Sequence, residues 1–425
     1  MLARLTVITS SVYVHLQRQD NGEWVTVGRY TLNRAESAIE STQGYFQYAP
    51  SYIDAGFKWV IDPINMPTLD TQPYLANRYG GLTDVLRDIS PDAWGKLLIQ
   101  RTFNLLSRAH EFEFLTKASN ADRWGALTVS NIRNPNPALS SSPKLSKLDA
   151  LLIELGLMAE QKPSQYPELR KRLTKTPSLG GARPKATVQD ADSYWLVKPT
   201  THADINNTAL LEYVAMQWAS ASGLHVAECN LFQDSVRTAV LVKRFDRTGM
   251  QRRMVLSGAT LLQTEYPDTN ALGQNHARWS YPLLAQAMRR IGVPKCDLNE
   301  LFGRMLFNAI CGNDDDHPRN HAVVWNQDES RWRLSPAFDI VPNATAEPTN
   351  LAMQLCDGRW DISAETILAD WKFFGFNSLD EVKQYKAKLI EKIQFQSQHL
   401  SQFSASKEFE YLLAARASAT IKLVS

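Results

Sequence analysis

Alternation with a period of two opens the chain. "SVYVHLQRQ" and "EWVTVGRY" each place apolar residues on one face of a strand, and Asn21-Gly22 between them is the favoured dipeptide of a tight hairpin turn. The period lengthens from Ser90, where "SPDAWGKLLIQRTFNLLSRAHEFEFL" carries apolar residues at helical spacing behind a cap-like Ser-Pro-Asp. A proline- and serine-rich stretch, Asn134 to Lys144, has no face to pack and reads as a linker. A helical pattern follows from Lys144 to about Leu173. "TPSLGGARPKATVQDADSYWLVKPT" then predicts strand, loop and strand, and Asn207 to Leu224 a helix with an Asn cap and a terminal glycine region. Short strands return in "CNLFQD" and "TAVLVKRFDR". Beyond residue 255 the pattern is mostly helical, in "YPLLAQAMRRIG", "LNELFGRMLFNAICG" and "LDEVKQYKAKLIEKIQFQSQHL". No internal repeat is visible.

The expected fold class is therefore α+β, with a β-rich amino-terminal subdomain (1–135), a small mixed lobe (145–250) and a helical lobe (251–425). At 425 residues the chain is long enough for more than one core. A hydrophobic fraction of 44% and a charged fraction of 21% are ordinary for a folded protein. The formal charge of +2 and the absence of a long Lys/Arg run argue against a chain-wide nucleic-acid or membrane surface. Cys229, Cys296, Cys311 and Cys356 lack zinc-knuckle spacing and read as free thiols. The opening "MLARLTVITSSVYVHLQ" is not a secretory leader, and no stretch approaches the ~18 apolar residues of a membrane span, so a cytoplasmic location is expected.

The candidate chemistry centres on "NAICGNDDDHPRNHAVVW", which sets three aspartates between apolar stretches. Asp315 and Asn320 stand five apart, and Asp339 follows in "RLSPAFDIVPN". A protein kinase uses an aspartate to deprotonate the attacking hydroxyl, an asparagine five residues later for magnesium, and a further aspartate for the metals. Such a pair arises about once by chance in a chain of this length, so alone it also fits a solvated turn. The strands "AVVW" and "RWRLS" around an "NQDES" turn put Asn320 and Asp339 at the ends of a hairpin, which can bring them together. Asp314 competes with Asp315 for the base, but its spacing to Asn320 is six.

Phosphates need a cradle, and "SLGGARPK", Ser178 to Lys185, offers glycines that let backbone N–H groups approach oxygen. It is neither a Walker A sequence nor a GxGxxG, and a surface turn is the plain alternative. Lys198, ending "YWLVK", needs a partner for its ammonium if buried, and Glu212 on the next helix is the candidate. "VLVKRFDR" would supply a linker strand for an adenine edge, with Asp246 and Arg247 as a structural ion pair.

The blocks "SLGGARPK", "WLVKP", "VKRFDR", "GNDDDHPRNHAV" and "LSPAFDIVP", and the helix "ISPDAWGKLLIQR", resemble in their order the HipA-type bacterial serine/threonine kinases, the toxin halves of toxin-antitoxin pairs. The resemblance runs from about residue 10 to 345. It implies a bilobed protein-kinase-like fold with an added β-rich amino-terminal subdomain and a helical C-terminal lobe, using ATP and Mg2+. Asp315 would be the catalytic base, and Asn320 and Asp339 the magnesium ligands. Lys198 would hold phosphates, and Gly180, Gly181, Ala182, Arg183, Pro184 and Lys185 would form the phosphate loop. Lys243, Arg244 and Phe245 would face adenine, with His317 and Phe338 in the nucleotide site, and Ser178 would be the autophosphorylated serine. The implied partners are a small helix-turn-helix antitoxin similar to HipB, DNA only through that antitoxin, and a protein substrate such as an aminoacyl-tRNA synthetase. Two other readings stay open. One is a kinase-fold regulatory protein that works by docking antitoxin and operator; the other is a small-molecule or lipid kinase.

Overall fold

The computed structural model describes residues 7–35, 38–106, 109–134, 142–174, 181–266, 276–403 and 406–425. The chain divides into two compact units, the first of residues 1–196 with 246–256, the second of 197–245 with 257–425.

The first unit is built on the expected hairpin. β1 (Val7–Gln17) and β2 (Trp24–Ala35) pair antiparallel, with Gln17 opposite Trp24. Gly22 takes φ +76° in the turn, a conformation that costs glycine little. β3 (Ala38–Tyr48), the short β4 (Tyr74–Ala76) and β5 (Leu127–Ser130) complete a sheet ordered β4-β3-β2-β1-β5. Its buried face carries Val12, Val14, Tyr30, Leu32, Phe46 and Tyr48, so the alternation read from the sequence is the alternation of burial.

The helical stretch after Ser90 is two helices, not one. Asp92 caps the helix Ala93–Phe103 by accepting from the Gly95 N–H at 2.8 Å. Asn104 ends it in the left-handed conformation, φ +51°, and a second helix runs Glu111–Lys117. The region from Lys144 likewise breaks, into Leu148–Ala159 and Pro167–Leu173, because Pro163 and Pro167 cannot continue a helix through the intervening turn. β6 (Ala186–Asp190) and β7 (Ser193–Pro199) follow, and the division between units falls within β7. Asp246 and Arg247 are both buried in the first unit, 3.7 Å apart, with Asp246 also accepting from the Gly125 N–H at 2.8 Å.

The second unit holds the helix Thr208–Ala221, capped by the Asn207 side chain on Leu210 N–H at 3.1 Å, and the antiparallel pair β8 (Cys229–Gln233) and β9 (Thr238–Lys243). Its helices Tyr281–Arg290, Lys295–Cys311, Leu379–Ser397 and Lys407–Val424 match the apolar periodicity of the sequence. Trp218 is fully buried, packs edge-on against Phe307 at 5.0 Å, and donates its indole N–H to the Ile393 carbonyl at 3.0 Å. The strands Ala322–Asn326 and Arg331–Leu334 form the expected hairpin, Val323 opposite Leu334 and Asn326 opposite Arg331. The four cysteines are free. No helix among the described residues is long and apolar enough to cross a membrane.

Candidate active site

The three aspartates have three different environments. Helix Lys295–Cys311 stops at Gly312, φ +78°, where an added Cβ would lie 2.6 Å from Cδ of Arg416, so the chain turns sharply there. Asp314 then accepts from the Asn343 side-chain amide at 2.9 Å, and its carbonyl accepts from the Ala352 N–H at 3.0 Å. Asp316 is buried, and its Oδ2 accepts from the Tyr281 hydroxyl, from Asn308 Nδ2 at 2.9 Å and from His321 Nε2 at 2.8 Å. Asp315 alone of the three is exposed. The crowded carboxylates are thus two anchors around one that faces outward.

Asn320 closes the loop in a short 3-10 turn, Pro318–Asn320, and donates through Nδ2 to the Asp315 carbonyl at 3.3 Å. That bond leaves the amide oxygen as the ligating atom of the side chain. Beyond the hairpin, Asp339 takes φ +60°, an uncommon conformation for a residue with a Cβ and one that clusters at functional sites. Asn320 and Phe338, the neighbour of Asp339, line one small pocket together with Asp316 and His321.

Lys198 ties Asp339 to the helix. Its Nζ lies 2.7 Å from Oε1 of Glu212 and 2.5 Å from Oδ1 of Asp339. Burial works against the ammonium, yet Asp339 and Glu212 overcome it and hold the pKa above the ordinary lysine value. Lys198 therefore stays charged at neutral pH. The partner expected for it, Glu212, is one of the two that the fold supplies.

Across the second unit, the Phe245 and Phe338 rings meet at 5.5 Å, while Arg244 is buried and Lys243 turns to Glu228 at 2.7 Å. His317 is buried with its ring 4.1 Å from that of Tyr266, and its Nδ1 has no hydrogen-bond partner among the described residues. Burial lowers its pKa to about 4, against the opposing pull of the Asp339 and Asp316 carboxylates.

The phosphate-loop positions belong to the first unit. Ser178 and Gly180 lie outside the described residues. Gly181 takes φ +86°, and its carbonyl accepts from the Trp94 N–H at 3.3 Å. Ala182 and Arg183 are exposed, Pro184 is buried, and the buried Lys185 places Nζ 3.3 Å from Oδ2 of Asp92.

The profile of the HipA-like C-terminal domain matches residues 177–412. The chain belongs to the HipA-like family. A Sinorhizobium fredii relative named "Putative kinase Y4mE" is 23% identical over 212 residues, which is 46% of this chain and 50% of the relative's length. The Shewanella oneidensis MR-1 HipA, solved as a toxin-antitoxin complex with HipB and its operator DNA, matches over 97% of this chain and 98% of its own, with a TM-score of 0.69 at 15% identity. The chain has the kinase-like α+β fold of HipA.

Among the described residues no three His, Cys, Asp or Glu side chains gather to hold an ion. Asn320 and Asp339 nonetheless fit magnesium, which takes hard oxygen ligands, binds one or two protein groups, and completes its shell with water and phosphate oxygens.

Sequence reasoning missed one feature in each unit. The Asp316, Tyr281, Asn308 and His321 cluster left two traces, a polar residue near the end of an apolar helix and a histidine directly after Asn320. The Asp92 partner of Lys185 left none, being ninety-three residues away.

Proposed function

We propose that this HipA-like protein is a Mg-ATP-dependent serine/threonine protein kinase and the toxin of a toxin-antitoxin pair. The observation that carries the reading is Lys198 bridging Glu212 and Asp339 while Asp315 stands exposed one turn of loop from Asn320. A hydroxyl-bearing substrate gives its proton to the Asp315 carboxylate as its oxygen bonds to the γ-phosphorus, while the bond from that phosphorus to the β–γ bridging oxygen breaks and ADP leaves with the electron pair. Lys198, fixed by its two carboxylates, meets the phosphates of ATP without having to be ordered first. Asn320 and Asp339 would hold magnesium through their side-chain oxygens, and the ion when bound would neutralise charge on the phosphate oxygens. Lys243 to Phe245 lies along the adenine edge. Ser178 is the autophosphorylation site.

The partner is a small antitoxin similar to HipB, a reading supported by the complex in which the Shewanella relative was solved. A formal charge of +2 suits a protein that reaches DNA through that partner rather than by itself. The substrate is a protein of the translation machinery, with an aminoacyl-tRNA synthetase as the first to try.

The test is intact and peptide mass spectrometry of phosphatase-treated protein before and after Mg-ATP, with Asp315→Asn alongside. One phosphate gained at Ser178 by the wild type and not by the variant supports the reading. Phosphate gained equally by Asp315→Asn removes Asp315 as the base. No gain and no Mg-ATP binding would favour a regulatory protein that works by docking its antitoxin.

A further inference from the structure

Asp316 stands in the six-residue loop that begins with Asp315 and ends with Asn320, and it faces inward where Asp315 faces out. A buried carboxylate is costly unless donors compensate it, and one oxygen of this side chain takes three. The donors come from three places. Tyr281 is the first residue of helix Tyr281–Arg290, Asn308 lies on helix Lys295–Cys311, and His321 follows Asn320 directly. All four residues are buried, and the cluster is cross-braced. Asn308 Nδ2 also donates to the Tyr281 hydroxyl at 3.1 Å, Asn313 Nδ2 donates to Asn308 Oδ1 at 3.1 Å, and the Tyr281 and His321 rings meet edge-on at 5.4 Å.

The bond from His321 to Asp316 spans the loop from its second residue to the one after its last. Its length therefore fixes how far apart Asp315 and Asn320 can sit. The far end is held a second time, because Gly258 N–H donates to the His321 carbonyl at 2.7 Å. Gly258 packs so closely that an added Cβ would be 2.4 Å from the Pro318 carbonyl oxygen, so the loop has no room to shift on that side. A hydrophobic side chain in place of Asp316 could fill the same space, but it could not tie two helices and the loop's end to one atom.

We infer that Asp316, gripped by Tyr281, Asn308 and His321, is a positioning residue that sets the spacing of Asp315 and Asn320 for phosphoryl transfer. The inference rests on the kinase reading for its chemistry and on the cluster alone for its mechanics. Tyr281→Phe removes one donor and little volume. Asp316→Asn keeps the shape and removes the charge.

The experiment measures kcat and KM for ATP in both variants beside wild type, and amide hydrogen exchange across residues 313–321. The expected result is a kcat lower by about tenfold in Tyr281→Phe and about a hundredfold in Asp316→Asn, with KM for ATP within about twofold, since a small misplacement of reacting groups acts on the transition state. Exchange should quicken in 313–321 and not in helix Thr208–Ala221. In the double variant kcat should fall no further than in Asp316→Asn, because both changes open one clamp. Unchanged kcat in Tyr281→Phe with unchanged exchange would overturn the inference, as would exchange that quickens uniformly. If wild type itself transfers no phosphate, the kinase reading falls, and the exchange pattern decides the clamp by the same criteria.

Discussion

The Lys185 ammonium lies 3.3 Å from the Asp92 carboxylate, and the two side chains are only 3% and 4% exposed. The lysine of the glycine loop is therefore joined to the cap of the helix Ala93–Phe103, where Asp92 also accepts from Gly95 N–H. Trp94, in the first turn of the same helix, donates to the Gly181 carbonyl. The two ends of the described part of the loop are thus both fastened to one helix terminus, and the amino-terminal region is the mechanical support of that loop.

Breaking this pair should cost more than a surface ion pair would. Asp92→Ala removes a carboxylate from beside a buried ammonium and also removes a helix cap, so a loss of about 2–4 kcal/mol of unfolding free energy is expected. Adding Lys185→Met removes the buried charge and should restore part of that loss. Urea denaturation of the two single variants and the double variant checks it; an Asp92→Ala effect below about 1 kcal/mol would mean that the pair is screened like an exposed one.

Lys198 gives a prediction on activity. Lys198→Met leaves Glu212 and Asp339 without the cation between them, so kcat/KM for ATP-dependent labelling should fall by about a hundredfold or more. Glu212→Gln keeps the volume and one hydrogen bond but removes a charge, so a smaller fall, about tenfold, is expected, expressed in both kcat and KM. Because Asp339 and Glu212 raise the Lys198 pKa above its ordinary value despite burial, no loss of activity between pH 6 and 9 should come from this lysine. Steady-state kinetics on the two variants, with a wild-type pH profile, tests all three statements.

The order of these parts was legible in the sequence, and their embedding was not. Lys198 and Glu212 could be paired because a strand-end lysine followed by a helix leaves few partners within reach. The hairpin between Asn320 and Asp339 could be read from alternation around a turn. What spacing could not show was burial. Three identical letters in a row hide one exposed and one buried carboxylate, because the difference comes from Tyr281 and Asn308, on helices whose packing no local pattern encodes. The helix break at Asn104 was hidden for a related reason. The apolar spacing continues across it, and only the left-handed conformation of one residue ends the first helix.

His317 supplies a pH dependence of stability with a definite sign. Burial lowers its pKa from 6.5 to about 4, the Asp339 and Asp316 carboxylates opposing that shift only in part. Between these values the unfolded chain binds a proton that the folded chain does not, so stability contributed by neutral His317 is present above about pH 6.5 and is lost as pH falls toward 4. The full effect of this shift is about 3 kcal/mol. His317→Gln cannot take up that proton, and its unfolding free energy should fall less than that of wild type between pH 7 and pH 5. Urea titrations of both proteins at the two pH values measure the difference. Equal falls would show that His317 is protonated in the folded state, with Nδ1, which has no partner among the described residues, finding an acceptor.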